Sequence, residues 1–210
     1  MKYSKKTLIL TTLICLIPIV AGALLYSRLP ETVATHWNMN GEPDGWSSRA
    51  FAAFGLPGIL LAVNLLVPFG LRADPKRANM SEALVGITVW IIPVISLLCC
   101  GLTLARGLGY AVHVEFWVPV FMGVLFIVIG NYLPKTKQSY TMGIKLPWTL
   151  DSEENWNRTH RLAGYLWVLG GLLFIVMSFV GWSLAAFLII LAVMVLVPTV
   201  YSYLLYRKGI

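Results

Sequence analysis

From Leu162 to Tyr206 the sequence reads LAGYLWVLGGLLFIVMSFV, then Gly181-Trp182-Ser183, then LAAFLIILAVMVLVPTVYSYLLY. Neither apolar run contains Asp, Glu, Lys, Arg or His. Each approaches or exceeds the roughly 20 residues that a helix needs to cross ~30 Å of hydrocarbon. Only a helix satisfies its own backbone over that distance, so both runs read as membrane spans joined by a tight antiparallel hairpin. Further charge-free segments lie upstream at Thr7–Tyr26, Ala50–Leu71, Ala83–Ala105 and Phe116–Leu133. The pattern predicts an all-α polytopic membrane protein of about six transmembrane helices. It divides into an amino-terminal two-helix unit (1–71, with loop 28–49) and a four-helix unit (72–210, with loop 134–161). Pro18, Pro57, Pro68, Pro93, Pro119 and Pro198 fall within the spans, where a membrane bundle tolerates the kinks they introduce.

Composition agrees. Of 210 residues, 58% are hydrophobic and only 12% charged, against about 25% charged in a soluble domain. With the amino terminus inside, the cytoplasmic side receives Lys2, Lys5, Lys6, Arg72, Lys76, Arg77, Lys135, Lys137, Lys145, Arg158, Arg161, Arg207 and Lys208. The outside keeps Arg28, Arg49 and Arg106. This positive-inside bias predicts that both ends are cytoplasmic. The net charge of +7 is then a topology signal, and the basic residues lie along membrane edges rather than on a nucleic-acid-binding patch. Lys2–Lys6, the apolar run and Ala21-Gly22-Ala23 also resemble a cleavable signal peptide, but the run continues to Tyr26 and cleavage would leave an odd number of crossings. Cys15, Cys99 and Cys100 all lie within spans, so no disulfide or thiolate metal site is implied.

The spans carry no ionisable side chain. Pumps, ion-coupled transporters and voltage sensors place such groups in the membrane, so active transport is disfavoured. Asn64 and Asn131 are the strongly polar residues expected at depth, where they hydrogen-bond between helices. Chemistry or recognition is therefore expected in the loops.

The external loop, Leu29 to Trp46, offers an extended piece at Thr32–Trp37 and turn dipeptides at Asn40-Gly41 and Asp44-Gly45. It reads either as a cap meeting an external ligand through His36, Trp37 and Trp46, or as an interfacial anchor. His36, Glu42 and Asp44 match no standard zinc spacing. The cytoplasmic loop, Pro134 to His160, is the more distinctive. Asp151 with Glu154 forms a capping-box-like start, so a helix should begin near Ser152 and run unbroken into the fifth span. Glu154 and Arg158 have the favourable i,i+4 order. Trp156, His160, Ala163 and Trp167 share one helical stripe, and Gly143 and Pro147 suggest a segment folded back before it. His160 reads as a ligand-binding, proton-sensing or basic residue, or else as an interfacial residue bonded to a loop carbonyl. Trp148 and Trp156 are either pocket walls or interfacial packing.

Gly130-Asn131-Tyr132, Pro134-Lys135, Tyr140, Gly143-Ile144-Lys145, Pro147-Trp148-Thr149-Leu150, Glu154, Trp156, Thr159-His160-Arg161 and Gly164 resemble the signature of the SdpI family. Leu29-Pro30, His36-Trp37-Asn38, Gly41 and Asp44-Gly45 resemble the amino-terminal domain of unknown function that often accompanies it. The resemblance implies a bacterial cell-membrane immunity protein against a secreted, sporulation-delaying peptide toxin, not an enzyme and without a cofactor. It implies as partners the lipid bilayer, the toxin and a soluble transcriptional repressor held at the membrane. On this reading His36, Trp37, Asn38 and Asp44 face the toxin. The block of Tyr140, Gly143, Lys145, Pro147, Trp148, Thr149, Glu154, Trp156, His160 and Arg161, with Asn131, faces the repressor or sets the conformational state. Two rivals stand beside it. One is a transporter or binding protein for a small amphiphile or peptide. The other is a CAAX-type intramembrane protease, suggested by Glu153-Glu154-x-x-x-Arg158 but lacking the further membrane-helix histidines such enzymes need.

Overall fold

The computed structural model describes residues 3–210. Lys2, counted above with the cytoplasmic basic residues, lies outside the described residues. Among those described, six helices are long and apolar enough to cross a membrane: Lys5–Arg28, Phe51–Ala73, Glu82–Gly107, Val114–Lys135, Glu153–Val180 and Leu184–Arg207. Their outer faces are stripes of exposed apolar side chains, such as Ile9, Leu13, Ile17, Val20 and Leu24 on the first and Leu188, Ile189, Leu196 and Val200 on the last. A water-facing surface does not carry such stripes, whereas hydrocarbon matches them. The chain is a multi-pass membrane protein.

It forms two compact units, one of residues 1–72 and 82–114, the other of 73–81 and 115–210. In the first, α1 (Lys5–Leu25) starts at Ser4, whose hydroxyl accepts the Thr7 amide at 3.0 Å. Buried Asn64 on α2 (Leu56–Ala73) reaches Thr12 of α1 at 3.4 Å, the inter-helix bond expected of it. Between α1 and α2 the chain forms an antiparallel hairpin of β1 (Thr32–Trp37) and β2 (Pro43–Ser48). Leu29 and Val33 anchor it on Ala52, Ala53 and on Leu104 of α3 (Glu82–Gly107), a small buried core. Asn40-Gly41 makes the turn, with Gly41 at φ +77°. Asp44-Gly45 does not: both residues lie within β2. Gly45 is needed there because a Cβ would come 2.9 Å from the Cβ of His36, its cross-strand partner.

In the second unit, α4 (Val114–Tyr132) and α6 (Glu153–Val180) meet backbone to backbone through glycines. A Cβ on Gly123 would lie 2.5 Å from the Gly171 carbonyl oxygen, and one on Gly130 2.9 Å from that of Gly164. Small residues of this kind let membrane helices pack closely. Gly181, at φ +107°, ends α6. Ser183 caps α7 (Leu184–Arg207) by accepting the Ala186 amide at 3.1 Å, completing the expected hairpin. α6 does run unbroken into its span, but Ser152 caps it rather than Asp151. The Ser152 hydroxyl accepts the Asn155 amide at 3.2 Å, while Asp151 closes the short α5 (Pro147–Asp151). Asn131 departs from expectation: it is exposed on the last turn of α4, not bonded at depth.

Candidate functional site

The segment from Pro134 to Glu153 folds back on the first turns of α6, and Gly143 is the point of contact. Its φ of +101° suits glycine, and a Cβ there would meet His160 Nε2 at 2.5 Å and the Trp156 ring at 2.8 Å. His160 and Trp156 are both fully buried and stacked, with ring centroids 4.0 Å apart. The Ile144 amide donates to His160 Nε2 at 2.8 Å, so that nitrogen carries no proton. The proton sits on Nδ1, which donates to the Trp156 carbonyl at 2.7 Å. The Trp156 indole N–H donates to the Thr136 carbonyl at 2.9 Å. Thr149, also buried, brackets the same loop: its hydroxyl accepts the Leu146 amide and lies 2.8 Å from the Ile144 carbonyl. Pro147 opens α5, where its missing N–H leaves no bond unmade.

A second network ties α5 and α6 to α7. Trp148 donates to the Ser202 hydroxyl at 2.7 Å and packs its ring on Tyr203 and Tyr206. Ser202 donates to Asn155 Oδ1 at 2.8 Å, and the Asn155 amide group donates to the Ser202 and Ile210 backbone oxygens, each at 3.0 Å. Thr159 also donates to Asn155 Oδ1. Every buried polar group in this set has a partner, the condition under which a polar core fixes one geometry.

The third attachment comes from the loop joining α2 to α3. Asp74 is 3% exposed. Its Oδ1 accepts the Lys76 amide at 2.7 Å, an Asx turn. Its Oδ2 accepts the Ser139 hydroxyl at 2.7 Å and both the amide and the hydroxyl of Thr141 at 2.8 Å. Burial works against its charge, but these donors together outweigh that and hold the carboxyl below its ordinary range. Lys76 Nζ donates at 3.1 Å to Gln138 Oε1 and to the Leu150 carbonyl near the end of α5, and lies 5.7 Å from the Tyr140 ring centroid. Asn79 donates to the Gln138 carbonyl at 2.8 Å.

The remaining signature positions face outward. Tyr140, Lys145, Pro147, Glu154 and Arg161 are exposed. Glu154 pairs with Arg158 as the spacing predicted. Glu153, Glu154, Asn157, Arg158 and Arg161 line an open groove of about 470 Å³. On the hairpin, His36 Nδ1 bonds the Asp44 carboxylate in full view of solvent. Asn38 is occupied with the turn, accepting the amides of Asn40 and Glu42 and donating to the Glu42 carboxylate at 3.0 Å. Trp37 carries a buried indole N–H with no partner among the described residues. No group of three or more His, Cys, Asp or Glu side chains is placed to hold a metal among those residues.

Residues 135–202, which contain most of this block, match the SdpI/YfhL protein family. Residues 13–61, with the hairpin, match a domain of unknown function, DUF1648. Across 206 residues, 97% of each chain, the protein is 28% identical to "Immunity protein SdpI" of Bacillus subtilis (strain 168). No solved structure matches it.

The geometry separates the SdpI signature into two classes. Gly143, Trp148, Thr149, Trp156 and His160 build the fold-back, and Gly130 and Gly164 build the helix crossing beneath it. Tyr140, Lys145, Glu154 and Arg161 present it. His160 has both nitrogens committed, which favours the structural reading, with a loop amide rather than a loop carbonyl as its partner. Asp74 and Asn155 were not singled out from sequence. The only hint of Asp74 was Asp74-Pro75 shortly after a span, and Asn155 stands one residue ahead of the Trp156 stripe, not in it.

Proposed function

We propose that this chain is a membrane immunity protein that protects the cell carrying it from a secreted, membrane-active peptide. The observation that carries the reading is likeness along 97% of both chains to a protein named for immunity, which includes both loops rather than the spans alone. The positive-inside bias supports a topology with both ends in the cytoplasm. An odd number of spans precedes the hairpin and an even number precedes the SdpI block, so the hairpin meets the toxin and the block faces the cytoplasm. The solvent-facing His36–Asp44 pair supplies polar groups for a peptide, beside the half-buried Trp37 ring on β1. The exposed row Glu154, Arg158 and Arg161 supplies a charged face for a soluble repressor. We read the role as non-enzymatic: Glu153 and Glu154 are exposed, whereas His160 is fully buried with both ring nitrogens hydrogen-bonded.

The test is survival of a toxin-sensitive strain expressing the chain, challenged with a panel of secreted membrane-active peptides. Protection against one peptide, reduced in His36→Ala and Trp37→Phe at equal membrane levels, is the expected result. Protection against none of them would refute immunity as the function.

A further inference from the structure

We infer that Asp74 is a positioning residue of the SdpI block, acting from outside the family segment to hold residues 138–141 in their working conformation. This rests on the immunity reading for its biological consequence but not for its geometry. A carboxylate that is 3% exposed and lies in a connecting loop is costly unless its oxygens are met by donors. Here those donors come from both sides of a loop closure: the Lys76 amide is local, while the Ser139 and Thr141 groups lie 65 and 67 residues away along the chain. Ser139 in turn accepts the Thr141 and Met142 amides at 3.1 Å, so one carboxylate organises the turn leading to Gly143. Lys76 and Asn79 fasten the same loop to Gln138 and to the end of α5. Without the clasp, the stretch between Thr136 and Gly143 has no regular secondary structure to hold it.

Asp74→Asn presents an NH2 group to an array of donors and removes the charge that strengthens their bonds. Thr141→Val keeps the shape and removes one donor, and Thr141→Ser restores it. The full chain, purified in detergent micelles, is exposed to trypsin, whose cleavage after Lys137 and Lys145 follows the population of the opened loop. Loss of the charge-assisted set is expected to speed cleavage about tenfold or more in Asp74→Asn. Thr141→Val should be intermediate and Thr141→Ser should match the parent, with helical content unchanged in all three. Protection of cells should fall in the same order.

Cleavage of Asp74→Asn at the parent rate would overturn the assignment. So would faster cleavage with undiminished protection. If the parent chain protects against no peptide, the immunity reading falls, and the cleavage series still decides whether Asp74 holds the block.

Discussion

Asp74 and Gly143 show what a single residue does in this chain. Gly143 is required twice over, by its φ of +101° and by the His160 ring 2.5 Å from where its Cβ would stand. Gly143→Ala is therefore expected to destabilise the block by about 1–3 kcal/mol. Gly70→Ala, in open space on α2, should be neutral or up to ~1 kcal/mol stabilising. Denaturant unfolding in micelles compares the two. For Asp74 the folded carboxyl titrates below its unfolded value of about 3.9. Its contribution is present above that value and is lost as pH falls through the lower folded one. Acid should open the parent block in that window, and Asp74→Asn should lose this part of the pH dependence. The imidazole of His160 is expected to hold its proton on Nδ1 at neutral pH, which nitrogen chemical shifts report directly.

At the scale of elements, the caps and the glycine crossing can be tested separately. Ser152 accepts the Asn155 amide, so Ser152→Ala should cost about 1 kcal/mol, whereas Asp151→Ala should leave the start of α6 unaffected. Gly171→Val places a side chain against the Gly123 carbonyl and is expected to part α4 from α6, seen as loss of folded protein by thermal unfolding in micelles. These elements also show how far the sequence could be read. The spans were plain because a missing charge is visible residue by residue, and β1 and the Asn40-Gly41 turn were legible from residue type. Asp44-Gly45 misled because glycine there serves close approach to His36, not a positive φ, and only cross-strand register reveals that. Asp151 misled because two capping residues stand side by side and the preceding α5 decides between them. Asp74 was hidden because its donors lie far along the chain.

At the scale of the whole molecule, the chain is a helical membrane protein with two worked loops and apolar outer faces. The structural signature residues are spent on building the block, and the charged ones, Lys145, Glu154 and Arg161, stay exposed at its rim. Sidedness is tested by cysteine labelling in intact cells. Ser139, at 2% exposure under Asp74, is a poor reporter, whereas Tyr140, at 51%, is a good one. A cysteine at Tyr140 should resist an impermeant reagent until the cells are opened, and one at Trp46 on the hairpin should react at once.

The most direct measurement of the central claim is survival of a sensitive strain under the panel of secreted membrane-active peptides, with the parent chain or Gly143→Ala expressed at matched membrane levels. The account predicts that the parent protects and that Gly143→Ala, with its fold-back displaced, does not. Equal protection by both would show that the SdpI block is scaffolding irrelevant to immunity, and protection by neither would contradict the function proposed here.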